Sequence, residues 1–550
     1  MSHIKHAKIL GISIALALGI SAASPSAYAQ DDEYWTYEMQ QGDNVWTIAH
    51  ELLTDWRKWQ EITELNNVSN DRIMAAGTLL QIPRDFIQER PAAVQLVEVS
   101  GPVSLISQTG ATKEIDDAIV LAGDVITTGE NGSVLIKFED QTEILITPNS
   151  ELVIDEAQVI GSDNNFTDIN VKLNKGEAEI HANPNKQSGS RFIIQTPTAF
   201  ATTRGTVYRV RANDDSTAAE VTQGKIDVTN TLGNTRVPKR FGTLAYKNEA
   251  PRKPVKLLSE PDLEAPDDIR YLPARVSWQT LNKAVNYRAQ ISDQADFSRI
   301  VLDTQSPVAK LNIPVALPDG QYWLRVRGID NNDLQGLSTV KPFTIDARPF
   351  PPVIQAPLST DQVYAGEVSF NWTQPENVVK YHFEIATDEQ FTSPVAIFEP
   401  TTEQTQTLTL EQPGQYFWRV TSEDNQGKVG PKGHTYPLTV KPVPATPELE
   451  APVTSEDTLG FGWQPDDITV SYQVQLSNDP SFEEVLQDVT VPESSAVLQK
   501  PEMGTYYFRV RGFDSDNFAG GWSATQQIEV PLDSYLPAII WTAFTVILFL

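Results

Sequence analysis

Apolar and polar residues alternate in short runs over residues 94–246, and turn-forming residues separate the runs. The segments 133–138, 143–146, 192–195 and 207–210 are examples. Glycine-containing turns stand between them at 129–132, 174–176 and 223–225. Because side chains on a strand point alternately to its two faces, a two-residue period with frequent turns predicts strands. The pattern therefore predicts an all-β domain over residues 94–247.

A different pattern precedes this domain, in residues 37–83. Tyr37 and Met39 alternate with polar residues, as in a short strand, and Val45, Ile48 and Ala49 then recur at helical spacing. A second helical run, which includes Trp59 and Ile62, ends at two asparagines, and Gly77 precedes an apolar run at 79–82. Asp43 and Asn44 are suited to cap the first helix. This order predicts a small βααβ module at residues 34–84.

The chain from 261 to 531 contains a threefold repeat with a period of about 90 residues. Each copy has a tryptophan followed nine residues later by a tyrosine, and then a Gly-x-Tyr-x-x-Arg-Val strand. The pairs are Trp278 and Tyr287, Trp372 and Tyr381, and Trp463 and Tyr472. Alternating apolar residues around such recurring aromatics predict three β-sandwiches with these aromatics in their cores, at 261–346, 349–441 and 444–531. Residues 248–260 are predicted to be a linker.

The two ends of the chain predict export and membrane attachment. Lys5 and Lys8 precede an apolar stretch, and Ala27 and Ala29 form an A-x-A cleavage site after it. Residues 1–29 are therefore predicted to be a signal peptide. Residues 535–550 carry no charge and are mostly apolar, which predicts a C-terminal membrane helix, although they are fewer than the 20 or so that span a bilayer. The alternative is a last core strand.

Composition narrows the range of functions. The chain has 72 acidic and 42 basic residues, a net charge of −30, and no cysteine. Such an excess of acidic residues argues against nucleic-acid binding, which needs clustered lysine and arginine. Without cysteine there are no disulfides and no thiolate metal ligands. An exported chain of this kind fits the bacterial periplasm or cell envelope.

The segment 34–84 resembles a LysM domain, which binds N-acetylglucosamine-containing glycans such as peptidoglycan. The resemblance rests on the Gly-Asp-x-x-Trp-x-Ile-Ala sequence that starts at Gly42, on the mid-module asparagine and on the closing Gly-x-x-Leu-x-Ile-Pro. It implies a sugar groove between two loops. The residues it places there are Gly42, Asp43, Asn44 and Val45 on one side, and Asn70, Asp71, Arg72 and Ile73 on the other.

The apolar residues of this module are expected to be structural. We expect Trp46, Ile48 and Leu80 to belong to its core, as apolar residues on a helix face usually do. Trp56 and Trp59 make the segment 54–59 more aromatic than is usual for the family. These two rings could stack on a sugar or pack locally, and we favour packing.

The all-β segment resembles the FecR-type periplasmic domain. The family's motifs occur in order, at residues 123–129, 132–134, 140–142, 176–178, 196–199, 204–208 and 223–226. Family members that regulate iron uptake sense an outer-membrane receptor and control a sigma factor through a cytoplasmic N-terminal segment. Here a predicted signal peptide occupies that end, which disfavours direct sigma-factor control. Arg204 is expected to bond loop carbonyls rather than a ligand.

The three repeats resemble fibronectin type III or related Ig-like modules, which act as spacers and protein-binding surfaces. The proline-rich joint at 347–352 predicts a semi-rigid array. Acidic loops recur after the Arg-Val strand of each repeat, at 330–333, 423–425 and 514–517. They suit ordinary hairpin turns, and calcium binding is the alternative.

Catalytic chemistry finds little support in this sequence. His50 and His181 fall in two different predicted modules, His382 and His434 both fall in the second repeat, and no Gly-x-Ser-x-Gly elbow is present. We therefore expect no enzyme activity, no cofactor and no metal.

The combined prediction is a multidomain, mostly β cell-envelope protein with a peptidoglycan-binding LysM head. A FecR-type domain would bind an envelope protein, three sandwiches would serve as spacers, and a terminal helix would enter the membrane. One alternative is an extracytoplasmic sensor that signals through the FecR-type domain. A cell-wall hydrolase is the other, because LysM modules often accompany hydrolases.

Overall fold

The computed structural model describes residues 33–69, 74–115, 118–161, 166–185, 190–203 and 205–531. The chain divides into two compact units, one up to Asp346 and one from Ala347 onward. Almost all regular structure in the described residues is β, as the sequence predicts. The predicted signal peptide, the 70–73 loop, Arg204 and the 535–550 segment lie outside the described residues.

The head of the first unit has the predicted strand–helix–helix–strand order. Its strands Tyr34–Glu38 and Leu79–Pro83 pair antiparallel, and its helices are Val45–Leu52 and Trp59–Leu65. Short 3₁₀ turns occupy Trp56–Lys58 and Arg84–Phe86. Asn44 caps the first helix by accepting the Thr47 backbone N–H, and Val45, Ile48 and Leu52 are buried. The capped, amphipathic helix thus forms where its sequence indicates.

The all-β domain that follows consists of two sheets, which share one long strand, Phe166–His181. The strands of both sheets form a closed hydrogen-bonded set. In spatial order the first sheet contains Thr112–Lys113, Val103–Ile106, Val125–Thr128, Glu151–Ile160, Phe166–His181, Arg191–Gln195, Phe200–Thr203, Lys225–Asn230 and Gly233–Pro238, with Glu89–Pro91 beside Glu151–Ile160. The second contains Ile119–Val120, Val94–Ser100, Ser133–Phe138, Glu143–Ile146, Phe166–His181, Val207–Ala212, Ser216–Gln223, Phe241–Tyr246 and Val255–Lys256.

One apolar core lies between these two sheets. Phe138 and Phe192 meet edge to face there, and Tyr208, Ile144 and Ile180 are fully buried. The alternation seen in the sequence supplies this core, because every second residue of a strand points inward.

Each repeat is a pair of antiparallel-rich sheets. The first has Leu263–Glu264, Ala274–Trp278 and Lys310–Ile313 facing Asp268–Ile269, Gln335–Ile345, Gly320–Asp330, Ala284–Ser292 and Ile300–Ser306. The second has Ile354–Ala356, Gly366–Trp372 and Thr405–Leu410 facing Gln362–Tyr364, Tyr436–Lys441, Gly414–Asp424 and Val378–Ala386. The third has Val453–Thr454, Thr458–Gly462 and Ser495–Gln499 facing Val485–Val491, Ser471–Ser477, Gly504–Phe513 and Gln526–Val530.

The recurring aromatics of the repeats are core residues, as predicted. The three tryptophans and three tyrosines are at most 4% exposed, and each tryptophan packs beside the tyrosine of its own repeat. The acidic loops are hairpin turns. In each, the first aspartate (Asp330, Asp424 or Asp514) accepts two backbone N–H groups of its own turn. These bonds confirm the hairpin interpretation of the loops.

Within the described residues, no helix is both long enough and apolar enough to cross a membrane.

Candidate functional site

The first loop of the predicted sugar groove is held by hydrogen bonds within the head. The Asp43 carboxylate accepts the backbone N–H of Gln40 at 2.6 Å and the Tyr37 hydroxyl at 2.7 Å. Burial and this carboxylate raise the pKa of Tyr37. Gly42 has φ 99°, a conformation that suits glycine. The Val45 side chain is buried, so only its backbone can reach a ligand.

The opposite side of the groove, Asn70, Asp71, Arg72 and Ile73, lies outside the described residues. The mid-module asparagine Asn66 has a defined structural role. Its side-chain amide exchanges two hydrogen bonds with the Gln81 backbone, both at 2.7 Å, and so ties the second helix to the last strand. The structure therefore describes one wall of the predicted groove and the bonds that set its shape.

Trp46 is not a core residue, and our expectation for it was wrong. Its side chain is 46% exposed, whereas Ile48 and Leu80 are buried as expected. The Trp46 ring lies beside His50, with centroids 4.2 Å apart, and His50 stacks on Trp56 at 4.5 Å. Trp56 is 43% exposed, and Trp59 packs against the core. The buried face of the first helix consists of Val45, Ile48, Ala49 and Leu52, and Trp46 lies one position off this face, about 100° around the helix.

The head shares its core with the all-β domain. Phe166, the first residue of the long strand, packs edge to face on Trp35 and Tyr37, with centroids 6.2 and 5.7 Å away. Beside this contact Arg84 reaches Asp168 at 2.8 Å and Glu156 at 2.9 Å. Asp168 is fully buried and also pairs with Arg191. The head therefore covers one end of the outer face of the first sheet.

The outer face of the second sheet is covered by the first repeat, through buried ion pairs. Glu177 and Glu179 lie two residues apart on the long strand, so both point away from the core. Glu179 accepts hydrogen bonds from both terminal nitrogens of Arg325, at 2.9 and 3.0 Å, and from Nη2 of Arg327 at 3.0 Å. Glu177 pairs with Arg288 at 2.6 Å. All five side chains are largely or fully buried.

The neighbouring strands complete this ionic interface. Arg209 donates to the backbone carbonyls of Gln335 and Gly336, each at 2.8 Å, and the Gln335 backbone N–H donates to Glu220. Arg211 pairs with Asp333. The cluster joins five arginines to five carboxylates, namely Arg209, Arg211, Arg288, Arg325 and Arg327 with Glu177, Glu179, Glu220, Asp303 and Asp333. Asp333 is exposed, and for the buried members of the cluster the opposite charges offset the cost of burying a charge.

The electric field of the arginines sets the acidity of these carboxyl groups. Burial alone would raise the pKa of Glu177, but Arg288, Arg327 and Arg211 outweigh it and lower that pKa to about 2. The pKa of Glu179 is also lowered, since Arg325 and Arg327 outweigh its burial. For Glu220 burial dominates over Arg209 and Arg211, and its pKa is raised.

One large face of the all-β domain remains accessible within this unit. It is the outer face of the first sheet beyond the head, called here the open face. Paired residues of neighbouring strands form it in two rows, and all are partly or fully exposed: Asn170, Ile193, Thr202, Asp227 and Arg236 in one row, and Lys172, Gln195, Phe200, Thr229 and Asn234 in the other. Ile193 and Phe200 are its two apolar side chains, and both lie among polar neighbours.

Comparison with known families identifies this domain. Residues 124–227 match the model of the family described as FecR protein. They form a FecR domain. The match lies within the predicted segment 94–247 and includes the long strand, both glutamates of the ionic interface and most of the open face. No curated protein matches the chain.

Solved structures resemble parts of the chain. A putative anti-sigma factor from Parabacteroides distasonis is 18% identical with a TM-score of 0.20, and the match covers 23% of this chain and 56% of that one. The chicken CNTN1 FN1–FN3 domains are 17% identical, with a TM-score of 0.21 and coverages of 50% and 99%. Fibronectin(III)-like modules of Clostridium thermocellum CbhA are 17% identical, with a TM-score of 0.21 and coverages of 33% and 94%. At these TM-scores the likenesses carry no argument about this chain's function.

The ionic interface was missed at the level of sequence, although a signal for it was present. Like charges stand two residues apart on predicted strands in Glu177 and Glu179, Arg209 and Arg211, and Arg325 and Arg327. Such pairs place two like charges on one face of a strand, and each needs an opposite charge nearby once that face is buried. Among the described residues, no group of three or more His, Cys, Asp or Glu side chains is arranged to hold a metal.

Proposed function

We propose that this chain is a non-catalytic extracytoplasmic sensor component, and that its FecR domain binds a protein partner on the open face. The family match to residues 124–227 supports a role that depends on the FecR domain. The proposal rests mainly on a difference between the outer faces of the two sheets. The first repeat covers the outer face of the second sheet, and the open face of the first sheet is left for a partner.

The attachment of the domain on two sides suits this role. The shared core with the head and the ionic interface with the first repeat hold the FecR domain between them. A partner on the open face would therefore meet a preformed surface and would lose little affinity to ordering.

The test uses the full chain in its native host. RNA sequencing would compare a deletion strain with strains that express the wild type, an Ile193→Glu/Phe200→Glu variant, or a Thr407→Glu control in the exposed part of the second repeat. We expect deletion to change a defined set of transcripts, and wild type and control to restore it. The open-face variant, at equal abundance, should fail to restore it. Unchanged transcripts on deletion would refute the sensor role, and full restoration by the variant would refute the open face as the binding surface.

Glycan binding by the head is the second candidate. It is favoured by the βααβ fold and by the first groove loop, which is already fixed by Asp43 and Asn44. Such a loop offers backbone and small polar groups to the hydroxyl and acetamido groups of a neutral sugar. The head would then place the FecR domain at the cell wall.

Co-sedimentation of the mature chain with purified peptidoglycan sacculi tests this candidate. An Asn44→Asp variant is informative because aspartate also caps helices, so the fold should persist while the amide is lost. We expect the wild type to pellet with sacculi and the variant to pellet less. Wild type that stays in the supernatant would exclude glycan binding, and soluble wall fragments in the same assay would indicate a hydrolase instead.

A further inference from the structure

The three repeats carry an equivalent arginine on the same sheet face. Arg325, Arg419 and Arg509 occupy the same position in the Gly-x-Tyr-x-x-Arg-Val strand, and each guanidinium lies over a phenylalanine ring of its own repeat at 3.8–4.3 Å. Opposite them on the neighbouring strand stand Gln290, Glu384 and Gln475. We call this surface the arginine face. Stacking on the ring holds each guanidinium in place on this face.

In the first repeat the arginine face is a docking surface that is already occupied. The Nε of Arg325 donates a hydrogen bond to Gln290 at 2.9 Å, and its two terminal nitrogens donate to Glu179 of the FecR domain. Arg327, two residues further along, also reaches Glu179. Glu177 pairs with Arg327 at 3.5 Å and more closely with Arg288 at 2.6 Å, a position that Gln473 occupies in the third repeat. The ligand of this face is therefore a strand that presents two glutamates two residues apart.

In the second repeat the same face neutralises itself. Arg419 makes two hydrogen bonds to Glu384, and Lys432 pairs with that carboxylate at 2.7 Å. The position equivalent to Arg327 is Thr421. No arginine pair is left there for an acidic strand.

The third repeat restores the arginine pair and has no carboxylate bound to it. Arg509 and Arg511 correspond to Arg325 and Arg327, and their partners on the neighbouring strand are the neutral Gln475 and Gln473. Among the described residues, no acceptor lies within hydrogen-bonding distance of Nη1 of Arg509 or of either terminal nitrogen of Arg511. Likewise no described carboxylate forms an ion pair with either guanidinium.

Trp522 holds these two arginines together. The guanidinium groups of Arg509 and Arg511 lie 4.2 and 4.4 Å from its ring. Partial burial and repulsion by the charge of Arg511 lower the pKa of Arg509, while the charge of Asp488 acts against this shift. A carboxylate pair would relieve this repulsion and fill the unused nitrogens with charge-assisted hydrogen bonds.

We infer that the arginine face of the third repeat docks an acidic β-strand of another protein, one that presents two glutamates two residues apart as Glu177 and Glu179 do. The first repeat shows the mode of contact on this same surface, and charge complementarity selects the occupant. This site is separate from the open face of the FecR domain, so the two proposals can fail independently.

The test probe is a disulfide-cyclised hairpin peptide that carries Glu-Ala-Glu on one strand, with a Gln-Ala-Gln hairpin as its neutral counterpart. Fluorescence anisotropy would measure binding of each to the mature full chain. We expect the acidic hairpin to bind about tenfold or more tightly than the neutral one, and added salt to weaken it. The chain's net charge of −30 opposes non-specific binding of an acidic probe.

Two variants assign the binding to the third repeat. Arg509→Gln/Arg511→Gln should abolish the preference for the acidic hairpin, while Arg419→Gln, at the self-neutralised face, should leave it unchanged. Circular dichroism would confirm that both variants are folded. Equal binding of the two hairpins, a preference that survives the double substitution, or full competition by free glutamate would overturn the inference, the last because it would reveal a simple anion site.

Discussion

Trp35 and Trp46 lie close in the head sequence but have opposite environments. Trp35 is 1% exposed and contacts Tyr37 and Phe166, so it belongs to the core that joins the head to the FecR domain. Trp46 points to solvent from the first helix and contacts His50. Their contributions to stability should differ accordingly.

Trp35→Ala should lower the free energy of unfolding of the head by about 3–5 kcal/mol, because it leaves a cavity in a shared core. Trp46→Ala should change it by less than about 1 kcal/mol, as is usual for exposed sites. Hydrogen exchange of head amides, measured by mass spectrometry, would give both values. Equal losses would contradict the assignment of Trp46 to the surface.

At the scale of elements, the long strand Phe166–His181 organises the first unit. Its beginning packs on the head through Phe166, its middle joins both sheets, and its end supplies Glu177 and Glu179 to the first repeat. One strand therefore contacts three modules. Substitutions near the end of this strand should therefore change the stability of the ionic interface.

Glu179→Gln should destabilise the attachment of the first repeat to the FecR domain by about 3–5 kcal/mol, since Arg325 and Arg327 would stay buried without their carboxylate. Glu529→Gln, on an exposed part of the third repeat, is the control and should have little effect. Urea unfolding of the full chain, followed by hydrogen exchange in strands 207–212 and 320–330, would measure the difference. If both variants lose equal stability, the interface is not held by these charges.

The ionic interface should weaken in acid. The folded-state pKa of Glu177 is lowered to about 2, and that of Glu179 is lowered too, whereas a glutamate in an unfolded chain has a pKa of about 4.3. Their contribution is thus complete above about pH 4.3 and is lost as the pH falls towards 2. Glu220, with its raised pKa, acts in the opposite direction and offsets part of this loss.

Hydrogen exchange at the interface between pH 6 and pH 2.5 would check this, after correction for intrinsic exchange rates. The Glu177→Gln/Glu179→Gln variant should be less stable at pH 6 and should show a flatter pH dependence. A wild-type interface whose protection does not fall below pH 4 would contradict the assigned roles of the two glutamates.

At the scale of the whole molecule, the first unit is more integrated than a string of modules. Residues 248–260, predicted as a linker, are attached to the FecR domain and the first repeat at residues 255–257. Val255–Lys256 pairs with the strand Phe241–Tyr246, and Leu257 is buried against Leu244, Leu334 and Leu337. Head, FecR domain and first repeat therefore support one another.

This packing predicts resistance to proteolysis. Residues 248–260 should be cleaved slowly in the native chain, because a protease needs an open, extended segment. Leu257→Asp should speed cleavage there by about tenfold or more, since a charge would enter an apolar cluster. Leu232→Asp, at a 55% exposed site, should not. Rapid cleavage of the wild type at 248–260 would show that the segment is open in the native chain.

Local pattern was enough to predict much of the fold. The βααβ order, the all-β segment and the sandwich cores with Trp278, Trp372 and Trp463 follow from periodicity, caps and turns, which act between residues close in the chain. For the predicted groove, sequence alone indicated Gly42, Asp43, Asn44 and Val45, and the structure adds the bonds that fix Asp43 and Asn44. The exposure of Trp46 was missed although helical spacing indicates it, because Trp46 does not share the face of Val45, Ile48 and Ala49.

The sequence by itself determined the elements, their order and the modules, because alternation and helical spacing encode which face of each element is apolar. Tertiary structure alone decided how the modules meet. Glu179 and Arg325 are far apart in the chain, and their strands signal only that each needs an opposite charge. The pairing of particular charges depends on how two folded sheets pack against each other. For this reason the FecR domain occupies the arginine face of the first repeat and does not occupy its counterpart at Arg509 and Arg511.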